Sequence, residues 1–169
     1  RPVIFKYRKF SYAGGGYQII QQVITDVTKK PFWSVMKTHI IDPLKLADTT
    51  ARIIKPAIYK DIHVYQETAA AGVWSSISDL LIISHDLAKS YQTNTGIILK
   101  KKYARQIMTL PQPADYPYAL GCIIENGPNG KIFGHDGNNY RFRSRLKMSV
   151  NGTGSISLFH TDVQFNDSV

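Results

Sequence analysis

Apolar residues recur at helical spacing from Gly16 to Lys30, at Ile19, Ile20, Val23, Ile24 and Val27, with Gln18, Gln21, Gln22 and Asp26 on the other side. This spacing predicts an amphipathic helix. A second helix follows: Pro31 suits its first turn, Phe32, Trp33, Val35 and Met36 carry it toward Ile40, and Asp42-Pro43 marks its end. Residues 44–68 keep no period and predict a long irregular connection with at most one short strand. Ser76 and Asp79 form a capping-box-like pattern that opens a helix expected to bury Ile77, Leu80, Leu81 and Leu87. A further helix carries Tyr103, Ile107 and Met108 after the solvated run Lys100-Lys101-Lys102.

After Pro117 the period shortens. Apolar segments at 118–125, 131–136, 141–150 and 154–161 are separated by Asn126-Gly127-Pro128-Asn129-Gly130 and Asn151-Gly152-Thr153-Gly154, which predicts an antiparallel meander. In its third strand Arg141, Arg143, Arg145 and Lys147 alternate with Phe142, Ser144, Leu146 and Met148, giving a basic face directed at water or acidic neighbours. Val3-Ile4-Phe5 fits either a short strand or a disordered lead-in. Helices first and strands last make one α+β domain over residues 1–169.

Composition narrows this picture in three ways. Hydrophobic residues at 43% and charged residues at 20% are ordinary for a folded domain of 169 residues. A formal charge of +9 favours acidic partners, but no nucleic-acid motif accompanies it, so no nucleic-acid partner is expected. No apolar run approaches the roughly 20 residues of a membrane span. The lone Cys122, between Leu120-Gly121 and Ile123-Ile124, reads as a small core residue. The scattered His39, His63, His85, His135 and His160 show no metal-ligand spacing, and no phosphate loop occurs, so neither metal nor cofactor is expected.

The candidate chemistry begins at Phe10-Ser11-Tyr12-Ala13-Gly14-Gly15-Gly16-Tyr17, where three glycines are expected to bend the chain and present Tyr12 outward. Two more stretches follow in order: Ala69-Ala70-Ala71-Gly72-Val73-Trp74-Ser75-Ser76-Ile77-Ser78-Asp79-Leu80 and Phe133-Gly134-His135-Asp136-Gly137-Asn138. With the closing Ser155-Ile156-Ser157-Leu158-Phe159-His160-Thr161-Asp162, they resemble the serine beta-lactamase-like hydrolases of the class C type, which include penicillin-binding proteins, D-amino-acid peptidases and esterases.

The resemblance implies the beta-lactamase/transpeptidase-like fold, with helices packed on an antiparallel sheet. It also implies acyl transfer from a Ser-x-x-Lys serine, assisted by a tyrosine of the second motif and a Lys-Thr-Gly or His-x-Gly third motif. Tyr12 matches that tyrosine. A free phenol titrates at about 10, so a tyrosine acting as base needs nearby positive charge, which the family draws from its motif lysine. Gly14 stands where many members carry an asparagine that contacts substrate. His135 heads the third motif, Asp136 and Gly137 fall with Gly14 on the substrate side, and the backbone N–H of Asn138 corresponds to one oxyanion-hole donor. By the same resemblance the substrate is a small molecule or peptide, and the compartment periplasmic or secreted.

A nucleophile of this type is not evident. Ser144 and Lys147 lie on a predicted strand, where odd spacing puts them on opposite faces. Ser34 and Lys37 are helix neighbours, yet they follow Tyr12, whereas the family's nucleophile precedes it. The expectation is that the chain is the C-terminal portion of such a domain, with the nucleophile upstream of Arg1. Apolar surface should then stand exposed, open to the missing N-terminal segment, a second chain or self-association. Two readings compete with the enzyme: a peptide- or cell-wall-binding module on the same scaffold, and a polyanion-binding domain using Arg141, Arg143 and Arg145.

Overall fold

The computed structural model describes residues 10–51, 65, 68–111 and 114–160. The Val3-Ile4-Phe5 segment, most of the 44–68 connection, His63 and the chain beyond His160 lie outside those residues.

Helix α1 spans Gly14–Thr28, so it begins earlier than the apolar period places it and takes in all three glycines. None of the three has a positive φ; among the described glycines only Gly121, Gly130 and Gly152 do. The glycine run is therefore the first helical turn and not a bend, a correction that follows from the extended Ala13 (φ −145°) already making the change of direction. A Cβ at Gly14 would rest 3.8 Å from Ala70 Cβ, and at Gly15 or Gly16 would meet nothing within 4 Å. One side of α1 is anchored, with Gln21 Oε1 accepting the Ala69 N–H at 2.9 Å. Its apolar side is open: Ile19, Ile20, Val23 and Val27 are 50–78% exposed.

Helix α2 (Phe32–Met36) does not stop at Asp42-Pro43. It widens into a π-helical turn, Lys37–Ile41, in which the Asp42 N–H donates to the Lys37 carbonyl, and continues as α3 (Asp42–Leu44) to a left-handed Lys45. Proline is tolerated in a first turn because its missing N–H has no helical partner there, and the wide turn supplies a fresh first turn. Ile41, Leu44 and Leu46 close a small buried cluster with Trp33, Ile40, Ile83 and Ile98. Beyond it, Thr50 forms an antiparallel bridge with Trp74.

Helix α4 (Thr68–Ala71) leads to α5 (Ile77–Gln92), where Ser76 Oγ accepts the Asp79 N–H at 3.2 Å as the capping pattern predicts. The inward face differs from expectation. Leu87 packs against the core, but Ile77 and Leu81 are 41% and 38% exposed, while Asp79, Ser84, Asp86, Ala88 and Ser90 are buried. Hydrogen bonds choose that face. The Asp86 carboxylate accepts the N–H groups of Ile97 and Ile98 at 2.6 and 3.0 Å, and Asp79 Oδ2 accepts the Asp48 N–H and the Thr49 hydroxyl at 2.8 and 2.7 Å. The two partnered carboxylates can then occupy sites that propensity assigns to leucine, whereas the buried Ser90 Oγ has no hydrogen-bond partner among the described residues. Helix α6 (Lys101–Ile107) buries Ala104 and is followed by the buried Met108, whereas Tyr103 turns outward.

The meander is as predicted, with all neighbours antiparallel in the order β1 (Ile123–Gly127), β2 (Gly130–Asn139), β3 (Phe142–Ser149) and β4 (Gly154–His160). The first strand starts later than expected because residues 118–122 double back, with Gly121 at φ 95° and the Ala119 N–H donating to the Cys122 carbonyl. The second runs further, to Asn139. Ile124, Phe133 and Met148 stand opposite one another across three strands and pack with Ala88 and Met108 as the main core. Cys122 borders that core, and burial pushes its thiol up to about 11. The basic row finds acidic neighbours: Lys147 pairs with Glu125 at 2.7 Å and Arg145 with Asp136 at 2.8 Å. Arg141 leaves the row, sitting in the β2–β3 turn at φ 63° with its guanidinium over the Tyr140 ring.

Candidate active site

Side chains alternate along β2, so His135 lies on the face of Phe133, the side of the sheet that the helices cover. There it meets the segment that enters α1. Tyr12 Oη lies 3.5 Å from His135 Nε2, and Tyr118 Oη lies 3.0 Å from the same nitrogen. Tyr17, one helical turn beyond Gly14, reaches Tyr118 at 3.2 Å. His135 Nδ1 is 2.5 Å from the backbone carbonyl of Asp136. A carbonyl oxygen only accepts, so Nδ1 carries a proton, and in the neutral ring Nε2 presents its lone pair to the tyrosines.

The entry to α1 is held by aromatic contacts. Phe10 stacks on Tyr116 with centroids 4.6 Å apart, its N–H donates to Asp115 Oδ2 at 2.9 Å, and Tyr12 sits edge-on to Tyr118 at 5.8 Å. Tyr12 remains 58% exposed. Burial above all raises the Tyr118 phenol well above its ordinary range, so it stays protonated.

Between these groups lies a cleft of about 470 Å³, lined by Phe10, Tyr12, Gly14, Ala70, Ala71, Tyr116, Tyr118, Ile123 and residues 135–139. The structure thus brings together all six residues singled out in the sequence: Tyr12, Gly14, His135, Asp136, Gly137 and Asn138. Asp136 contributes backbone here, because its carboxylate binds Arg145, which holds it below the usual carboxylate range. A Cβ at Gly137 would lie 2.3 Å from Ser144 Oγ on β3, so that hydroxyl would have to turn aside. No serine, cysteine, lysine or arginine among the described residues lines the cleft. Lys37 is instead paired with Asp42, and Lys147 with Glu125.

One wall is a strand edge. β1 ends at Ile123 opposite Gly134, so residues 135–139 of β2 have a described strand, β3, on one side only. The Val150 N–H donates to the Lys131 carbonyl, which fixes the alternation: odd-numbered β2 residues bond toward β3, and Asp136 and Asn138 direct their backbone N–H and C=O away from it. The Asn138 N–H therefore aims along the cleft. Tyr17, Tyr116 and Tyr118 were not among the sequence-level candidates. The signal available for two of them was the aromatic pair around Pro117 just before β1.

An α+β arrangement of helices on an antiparallel meander, with a tyrosine and a strand histidine sharing one cleft, defines a beta-lactamase-like scaffold. The sequence model of the family described as Beta-lactamase matches residues 2–150, and the chain belongs to that family. Solved structures of the same fold include a D-stereospecific amidohydrolase from a Streptomyces species, 23% identical with TM-score 0.74 over 92% of this chain and 51% of that one. They also include the octameric penicillin-binding protein homologue of Pyrococcus abyssi, 20% identical with TM-score 0.70 over 92% of this chain and 39% of that one. A third is the D-amino acid amidase of Ochrobactrum anthropi SV3 complexed with D-phenylalanine, 16% identical with TM-score 0.67 over 90% and 51%. The chain thus spans about half, or less, of the proteins it resembles. No curated protein sequence matches it. Among the described residues no cluster of His, Cys, Asp and Glu could hold a metal ion, and no helix is long and apolar enough to cross a membrane.

Proposed function

We propose that this chain is the C-terminal portion of a serine hydrolase domain and supplies the tyrosine–histidine side of an acyl-transfer site acting on an amide or ester carbonyl. The observation that carries this is Tyr12 and the third-motif His135 facing each other at 3.5 Å across a cleft bounded by an open strand edge. The nucleophilic serine and its lysine belong to a complementary segment outside residues 1–169. Tyr12, charged by that lysine, takes the serine proton as the hydroxyl attacks; the proton then passes to the leaving nitrogen or oxygen. The Asn138 N–H and the nucleophile's own N–H hold the oxyanion. Family membership and the D-amino-acid amidase relatives support a D-configured amide or a related small ester as substrate.

The test compares the 169-residue chain with the longer parent protein on a D-amino-acid anilide, a chromogenic ester and a chromogenic beta-lactam. The chain alone should be inert and the parent active, with a trapped acyl group on a serine upstream of Arg1. In the parent, Tyr12→Phe should lower kcat by roughly a hundredfold or more, the usual worth of a general base. Turnover by the chain that Ser34→Ala abolishes would sink the proposal. Peptide binding to a parent with no acylatable serine would replace it with the binding-module reading.

A further inference from the structure

We propose that Tyr118 is a positioning residue of this site: it donates its hydroxyl proton to His135 Nε2, orienting the ring and occupying the lone pair that would otherwise hold Tyr12 as a neutral phenol. This rests on the acyl-transfer reading of Tyr12 and His135.

A neutral imidazole offers one lone pair in its plane. Two phenols approach it, Tyr118 at 3.0 Å and Tyr12 at 3.5 Å, and only the first lies within ordinary hydrogen-bond range. The direction of donation is set at both ends. Nδ1–H is committed to the Asp136 carbonyl, so Nε2 can only accept. Tyr118 has one hydrogen and two partners, Nε2 and Tyr17 Oη; donating to Nε2 leaves its oxygen to accept from Tyr17 at 3.2 Å. The chain Tyr17 to Tyr118 to His135 to the Asp136 carbonyl then satisfies each group with one donor and one acceptor. Tyr118 stands edge-on to the imidazole, interplanar angle 78°, which also fixes the ring plane. Because burial keeps the Tyr118 phenol protonated, this donor does not titrate away.

The two tyrosines therefore divide the work. Tyr118 serves Nε2 at 3.0 Å, and Tyr12, farther away at 3.5 Å, is left to exchange its proton with the reacting groups. If the Tyr118 hydroxyl is removed, Nε2 turns to Tyr12 and ties up the proton that a base must lack.

The test uses Tyr118→Phe and Tyr17→Phe in the active parent, with histidine ring ¹⁵N spectra of the same proteins, the His135 signal being assigned by its loss in His135→Gln. The wild type should show His135 as the Nδ1–H tautomer with its Nε2 signal shifted by an accepted hydrogen bond, and in Tyr118→Phe the Nε2 signal should move toward that of a free lone pair while Nδ1–H persists. With it, kcat should fall about tenfold at unchanged KM, the scale of one hydrogen bond, and Tyr17→Phe should give a smaller loss. An unaltered His135 spectrum in Tyr118→Phe overturns the proposal, whether or not activity falls, because a loss without a change at Nε2 is only a packing effect. If instead Tyr12→Phe retains full activity while the Tyr118→Phe spectrum changes, the base assignment fails and the positioning of His135 stands.

Discussion

The sheet and helix α1 present opposite solutions to the same requirement. On the sheet, the period-2 pattern puts Ile124, Phe133 and Met148 on one face, and α5 with Met108 covers them, so Phe133 is 3% exposed. On α1, an equally regular 3.6-residue pattern puts Ile19, Ile20, Val23 and Val27 on one face, and nothing described covers it. Gly16 falls on the same arc as these residues, with open space where a Cβ would be. A regular stripe that the rest of the described chain leaves bare is what a buried interface looks like when its other side is missing. The sheet is a covered core, whereas the described residues leave the α1 stripe exposed.

Substitutions can break that contrast. The largest effect is expected at Phe133→Ala, which should cost about 3–5 kcal/mol in a urea melt of the chain, because the cavity opens in the covered core. Val27→Lys, on the bare stripe, should change the same melt by less than about 0.5 kcal/mol. It should also reduce self-association in sedimentation. If it destabilised the isolated chain as strongly as Phe133→Ala, the stripe would already be covered.

The smallest effect concerns the solvent face of the sheet. Arg145 lowers the Asp136 carboxyl below its ordinary 3.8, so the folded state binds that proton less readily than the unfolded state. The stabilisation is therefore present above pH 3.8 and lost as pH falls through the depressed folded value. Both side chains are about half exposed or more, which screens the pair. Wild type should exceed Asp136→Asn slightly in urea midpoint at pH 6, and the two should converge toward pH 2.

Much of this architecture was legible because local period and turn chemistry agreed with the final packing. The stripe of α1, the Ser76 cap and the Asn-Gly turns of the meander each need only neighbours in sequence. The inward face of α5 was not legible, because Asp86 is buried by N–H groups of Ile97 and Ile98 in the following loop, a preference that no helical period encodes. The continuation past Pro43 needed a π-helical turn, which leaves no compositional mark. At the site, Tyr12 and His135 were readable through motif order, whereas Tyr118 became visible only when the 118–122 turn brought it under β2.

The nearest-neighbour order of the sheet has a kinetic consequence. Every strand pairs with the next along the chain, through turns as short as Gly127 to Gly130 and Asn139 to Phe142, so each pairing closes a small loop. Tyr12 and His135 are 123 residues apart. Loop-closure entropy and contact order both favour the meander forming first and the cleft last. Pulsed hydrogen exchange during refolding should protect β2 and β3 before α1; simultaneous protection would contradict that order. For part of its folding time the chain then carries a completed sheet to which the Tyr12 segment has not yet docked, and the apolar face around His135 stays exposed until it does.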